Sequence, residues 1–233
     1  SVYLSDANFD VVRVFNEIRD NLPSVKTWLE TYVEDANRRG LEAFYYALRD
    51  ESGCVRLKAQ EAARTLYLNK TCFNGLLRYS RSGRFNVPCG KTSSGEPIAP
   101  SFDFDNYEAV SEAMKPVIRA YAMDFEGSFE IASEGSFVYA DPPYSGGFVA
   151  YTAASWTQDD DRGLVACASD LAERGGFTVI SNTSASPFVD IAKKHFTDSG
   201  VKWSIHNIDV SRNASRDGAC RGNEIEVVFK VGF

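Results

Sequence analysis

The sequence predicts an α/β fold: a sheet domain interrupted by an inserted helical module that ends in a basic β-hairpin. Three observations carry this. Short apolar runs alternate with segments of helical period, the signature of strands and helices in one layered domain. One such run, Phe137–Ala140, stops at Asp141-Pro142-Pro143-Tyr144. Prolines have no N–H for a sheet ladder, so a strand must end there. Between about residues 22 and 103 the rhythm changes to successive helices followed by a hairpin.

In chain order, Val2–Leu4 reads as a strand leading into Asp6. Val11, Val12, Val14, Phe15 and Ile18 recur at helical spacing. Pro23 opens a second helical pattern with Val25, Trp28, Leu29 and Val33, and Gly40 marks its end. Leu41, Phe44, Tyr45 and Leu48 predict a third helix, and the alanine-rich stretch Leu57–Leu68 a fourth. Arg81-Ser82-Gly83-Arg84 is a turn between two short strands, Leu77–Ser80 and Phe85–Val87. Gly90–Pro100 has the composition of a mobile loop. A helix is expected over Tyr107–Tyr121, then a buried strand at Phe137–Ala140 and a helix at Asp159–Arg174. Phe177–Ile180 is a strand and Pro187–Phe196 a helix. Val201–Ile208 and Glu224–Val231 form a closing antiparallel pair. This order divides the chain into residues 1–21 with 104–233, forming the sheet domain, and residues 22–103, forming the insert.

Composition narrows the classes. Five scattered cysteines, none in a Cys-x-x-Cys pair, and two histidines argue against a disulfide framework and a zinc site, and for a reducing compartment. No apolar run approaches the length of a membrane span. The first residues carry no basic segment of a secretion signal. The chain opens on a strand-like run without methionine, which leads to the expectation that residues precede Ser1. Net charge is −7, yet Arg64, Lys70, Arg78, Arg81, Arg84 and Lys91 fall in a stretch with no Asp or Glu. Such a patch attracts phosphates even on an acidic protein, although a solvated basic loop would look the same.

The Asp-Pro-Pro-Tyr tetrapeptide places an acid and an aromatic ring on a rigid strand end, where open α/β sheets hold ligands. The acid can accept from a planar amine while the ring stacks on its face. Asp and Pro are also common turn residues, so the tetrapeptide alone is equally compatible with a β-turn.

Several segments, in order and over nearly the whole chain, resemble the Dam-type DNA adenine N6-methyltransferases. Asp141–Tyr144 is similar to their catalytic motif, and Leu66–Tyr79 with Gly83–Lys91 to their target-recognition helix and hairpin. Leu4–Asn8 resembles the acidic strand end at the cofactor ribose, and Asp124-Phe125 the pair at the cofactor adenine. Phe148, Tyr151 and Ile180–Asn182 fit the downstream pattern. The family's glycine-rich loop should come just before the acidic strand; nothing like it precedes Asp6, so an N-terminally incomplete sheet domain is expected.

The resemblance implies a Rossmann-like methyltransferase sheet with an inserted helical and β-hairpin DNA-recognition domain. It implies S-adenosylmethionine as cofactor and double-stranded DNA as partner, with no metal and no membrane. Asp141 and the Pro142 carbonyl would accept from the target amine, with Pro143 stiffening the edge and Tyr144 stacking on the base. A base in a duplex cannot reach such a pocket, so base flipping is implied. Asp6, Asp124, Phe125 and Asp141 would line the cofactor site. Without the resemblance, a helix cap before the following helix is the competing reading of Asp6.

On the DNA side, Arg78 would read a guanine and Phe73 would wedge into the stack. Asn74, Leu76, Pro88 and Lys91 would be neighbouring contacts, and Arg81 and Arg84 would touch phosphate. Phe73 and Leu76 could instead be helix core. Ser211–Gly218 is a further polar loop that could touch DNA. A GATC site, a monomeric state and a bacterial or phage-infected cytoplasm, nucleoid-associated, follow from the resemblance. Restriction–modification, replication timing and phage-genome methylation all stay open as roles. Two other readings also remain: an amine methyltransferase acting on RNA or protein, and a DNA-binding remnant without catalysis.

Overall fold

The computed structural model describes residues 2–51, 56–80, 82–143, 156–211 and 223–233. They form two compact units that part between Met123 and Asp124. The first strand and the helical stretch after it fall in the first of them.

In the first unit, β1 (Val2–Asp6) is followed by α1 (Phe9–Arg39). Asn8 caps α1: its side-chain oxygen accepts from the N–H of Asp10 at 3.0 Å and of Val11 at 3.4 Å, satisfying donors that a helix start leaves unpaired. The two helices expected around Pro23 are both present within α1 and meet at a kink. Asn21 sits at φ −148°, ψ 34°, two residues before a proline that lacks the N–H for the ladder. Val12, Ile18, Leu22, Val25, Leu29, Tyr32 and Ala36 recur at helical spacing and are buried.

α2 (Leu41–Asp50) and α3 (Lys58–Thr71) complete the helical core. Ala59, Ala62 and Ala63 are buried on α3, small side chains that let α1 and α3 approach closely. Arg64 donates to the carbonyls of Leu48 (3.0 Å) and Arg49 (2.9 Å), so it closes the end of α2. The Tyr45 hydroxyl donates to the carbonyl of Val87 at 2.8 Å and ties the hairpin to that core.

The hairpin is less regular than expected. Tyr79 bridges Phe85, Cys72 bridges Cys89, and Lys91 bridges Pro97, each as an isolated antiparallel pair. Gly90–Pro100, expected to be a mobile loop, has its own turn: Thr92 N–H donates to Glu96 O (2.8 Å) and Ile98 N–H to Gly90 O (3.0 Å). Gly90 is required by close approach, since a Cβ there would lie 2.5 Å from the carbonyl oxygen of Cys72. Gly90→Ala is expected to destabilise this unit by about 2–3 kcal/mol; urea denaturation of the variant against the parent checks it.

The helix expected over Tyr107–Tyr121 is two elements: α4 (Phe104–Ala113) and β2 (Val117–Ala122). Pro116 accounts for the break, because the residue before a proline is driven out of the α region. β2 pairs in parallel with β1, Leu4 opposite Ala120 and Asp6 opposite Ala122. Asn16 of α1 donates to the carbonyl of Ala120 (2.9 Å) and accepts from its N–H (3.1 Å), supplying the bonds that a neighbouring strand would make.

Burial raises the Cys72 thiol to about 11 from an ordinary 9.0, and raises Tyr45, Tyr67 and Tyr79 as well. A raised folded value favours the protonated form. The contribution of Cys72 is whole below about pH 9 and is lost as pH rises toward 11. The unit should thus lose stability across that alkaline window, as denaturation midpoints at pH 8 and pH 10.5 would show.

The second unit begins with α5 (Phe125–Ile131) and β3 (Phe137–Ala140). α6 (Gln158–Glu173), β4 (Phe177–Thr183), α7 (Phe188–Ser199), β5 (Trp203–Ser211) and β6 (Asn223–Val231) follow. The sheet order is β3-β4-β6-β5, with β3 parallel to β4 and β6 antiparallel to both neighbours. Thr157 caps α6 in a reciprocal box with Asp160.

Leu164, Val165, Ala168 and Leu171 of α6 and Phe188, Ala192 and Phe196 of α7 share a core with Ile180, Phe229 and Val231 of the sheet. β3 corrects an expectation. It is an edge strand in this unit rather than a buried one, and Phe137 and Tyr139 are each 60% exposed. Apolar runs cannot reveal this, because burial depends on which strands lie alongside.

Candidate catalytic edge and DNA-recognition element

The ladder of β3 ends at Ala140, opposite Ile180 of β4, and Asp141-Pro142-Pro143 follow directly. Asp141 is exposed. Its Oδ1 accepts from the Ser181 hydroxyl at 2.8 Å, and that hydroxyl accepts from Tyr139 at 3.2 Å. Side chains alternate along a strand, so Tyr139 and Asp141 project from one face of the sheet. The paired position on β4 brings Ser181 to the same face. Asn182, on the opposite face, is fully buried, and its Oδ1 accepts from the N–H of Thr183 at 2.9 Å.

Asp124 is the cap of α5, accepting from the N–H of Gly127 at 2.9 Å. The half-buried Phe125 ring packs 5.3 Å from Trp156. Gly163 gives that ring room, since a Cβ at residue 163 would stand 3.2 Å from it. Trp156 is anchored in turn: its indole N–H donates to the buried Asp161 at 2.7 Å. In the first unit, Asp6 lies exposed at the end of β1, and its Oδ1 accepts from the N–H of Asn8 at 2.6 Å. The helix cap is Asn8, not Asp6, which removes the helix-cap alternative for Asp6.

The expected DNA contacts that are described lie on one connected run after α3. Phe73 and Gly75 bound a single 3-10 turn, in which Asn74 (φ 56°) and Gly75 (φ 63°) are both left-handed. Asparagine is among the few residues that enter this region readily. The reversal leaves Asn74 exposed. Phe73 and Leu76 pack partly against the helical core, which explains why each could be read as core from sequence. Phe73 N–H donates to the carbonyl of the exposed Pro88 at 2.9 Å, joining the two sides of the element.

Arg78 is braced by Asn86, with Nε to Oδ1 at 2.8 Å and Nη2 to the backbone carbonyl at 3.1 Å. Arg84 is exposed. Among the described cations of this stretch, three have partners within the protein: Arg64 on α2, Arg78 on Asn86, and Lys91 on Glu42 at 3.3 Å. Tyr144, Arg81, Phe148, Tyr151 and the polar loop beyond Ser211 lie outside the described residues. Neither the Ser181–Asp141 contact nor the Asn86 brace was assigned from sequence. Each depends on strand register, which no local pattern encodes.

Cys72, Cys89 and Cys167 are free thiols. Among the described residues, no group of three His, Cys, Asp or Glu side chains is arranged to hold a metal ion. No helix there is long and apolar enough to cross a membrane.

The second unit thus carries an oriented acid on a proline-stiffened strand end, and the first a helix and hairpin with basic side chains. The model of the D12 class N6 adenine-specific DNA methyltransferases matches residues 1–213, and the chain belongs to that family. It is a DNA adenine-N6 methyltransferase. Type II methyltransferase M1.LlaDCHI of Lactococcus lactis subsp. cremoris is 27% identical, over 97% of this chain and 77% of its own length. Type II methyltransferase M.MjaIII of Methanocaldococcus jannaschii is 30% identical, over 78% and 65%. The DNA adenine methylase of Escherichia coli K12 is 28% identical, over 98% and 79%.

Proposed function

We propose that this chain methylates N6 of an adenine flipped out of double-stranded DNA, using S-adenosylmethionine, with Asp141 as the group that orients the amine. The reading rests on one observation above the others. An exposed carboxylate is held by Ser181 at the carboxyl end of β3, directly before two prolines.

The adenine amine is a poor nucleophile because its lone pair is delocalised into the ring. Asp141 and the Pro142 carbonyl accept the two N6–H bonds and concentrate the lone pair on nitrogen. Pro143 keeps the edge stiff, and Tyr144 stacks on the base. Positioning and preorganised electrostatics supply the rate.

Each unit offers acceptors of the kind that the cofactor's ribose and adenine need. Its ribose diol needs an acceptor, which Asp6 offers at a strand end. Its adenine needs an acceptor beside an apolar surface, which Asp124 and Phe125 offer together. Once bound, S-adenosylmethionine supplies an electrophilic methyl group on a sulfonium.

Residues 22–103 act as the recognition domain, and the kink at Asn21 falls at its start. Arg78 reads a guanine, Phe73 wedges beside the flipped base, and Asn74, Leu76, Pro88 and Lys91 flank them. Arg81 and Arg84 contact phosphate. The site proposed is GATC, read by a monomer in the cytoplasm.

The test offers labelled S-adenosylmethionine with duplex DNA carrying GATC, duplexes with single substitutions in it, RNA, and a protein mixture. Label is expected in N6-methyladenine of the GATC duplex. Transfer to RNA or protein instead, or DNA binding with no transfer to any acceptor, would overturn the reading.

A further inference from the structure

We propose that Ser181 is a positioning residue that sets the rotation of the Asp141 carboxylate, with Tyr139 directing the serine proton; this rests on Asp141 being the group that orients the target amine. A hydroxyl has one proton to give and lone pairs to accept with. Tyr139 donates to Ser181 Oγ at 3.2 Å. The serine proton then has two acceptors in reach: Asp141 Oδ1 at 2.8 Å and the Ala140 carbonyl at 3.5 Å. The carboxylate is both nearer and charged, and charge-assisted bonds are about twice as strong as neutral ones, so the proton goes to Asp141.

One carboxylate oxygen is thereby pinned, and Oδ2 is left to face an amine. Ser181 is itself fixed, being 5% exposed and opposite Val228 of β6. Its hydroxyl is thus held by the sheet rather than by a loop. An exposed carboxylate without this donor turns freely about its terminal bond, and small misplacements of a reacting group are costly.

Removing the hydroxyl should not unfold the protein. Its partners Tyr139 and Asp141 are both exposed and would take water. In the full-length enzyme, Ser181→Ala is expected to lower kcat by about 10- to 100-fold, with KM for S-adenosylmethionine and for DNA within about twofold. Ser181→Thr keeps the hydroxyl and should recover most of kcat. Tyr139→Phe should cost about two- to fivefold, since it loosens the orientation and leaves the donor in place.

Asp141→Ala is measured beside them. If it is inactive while Ser181→Ala turns over normally, the positioning role is wrong and the reading of Asp141 stands. If Asp141→Ala is itself active, the reading of Asp141 falls and this proposal with it. A Ser181→Ala protein whose loss Ser181→Thr does not recover, or whose loss lies in KM, would also overturn the positioning role.

Discussion

Asp141→Ala should abolish methyl transfer, with kcat lower by about a thousandfold or more, while folding and DNA affinity stay close to the parent. The expectation follows from where the side chain stands. Asp141 is exposed and packs in no core, so its removal opens no cavity. Ser181 loses an acceptor but keeps the Ala140 carbonyl within 3.5 Å. Stability is therefore nearly untouched. Chemistry loses the one anionic acceptor placed on the proline-stiffened edge, and with it the localisation of the amine lone pair.

Asp141→Asn is the sharper companion. It preserves shape and keeps one acceptor, but adds an N–H₂ donor that opposes the target amine. Its activity should lie between those of the parent and Asp141→Ala. Single-turnover kinetics with saturating duplex measure both. Near-parental turnover by Asp141→Ala in the full-length enzyme would remove the catalytic assignment.

Arg78→Ala should relax sequence preference by about 1–3 kcal/mol, roughly five- to 150-fold in kcat/KM ratio, at a single guanine. The guanidinium has five N–H groups. Asn86 accepts from Nε and from one proton of Nη2. That leaves a hydrogen on each terminal nitrogen, the fork that matches O6 and N7 of guanine. The brace holds the fork before DNA arrives, so little freedom is lost on binding.

Arg78→Lys keeps the charge and loses the fork, and should discriminate almost as poorly as alanine while binding DNA more tightly than alanine does. Replacing the guanine with 7-deazaguanine removes one acceptor. The parent should be penalised by it, and Arg78→Ala should be indifferent. Unaltered site preference in Arg78→Ala would end the recognition reading.

Much of this molecule was legible without coordinates, because most of its signals are local. Helical periodicity found α2, α3, α6 and α7, since burying one stripe leaves a trace every three or four residues. The prolines at Pro142 and Pro143 fixed the end of β3, because a missing N–H ends a ladder wherever it occurs. Where local signals conflicted, the reading failed. The helix expected through Tyr121 overlooked Pro116, and β2 takes its conformation from pairing with β1, more than a hundred residues earlier. The basic stretch counted six cations but could not tell that Arg64 spends its guanidinium on the end of α2, or that Lys91 meets Glu42.

Sequence by itself determined most of the helices, the acid at residue 141 and the cationic segment from α3 onward, together with the family these resemble. Only the tertiary structure decided how those groups are held: Ser181 against Asp141 across forty residues, Asn86 against Arg78 across the hairpin, and Asn16 along β2. The reason is that strand pairing joins residues far apart in the chain, and its register is set by the sum of many contacts rather than by any residue's own preference.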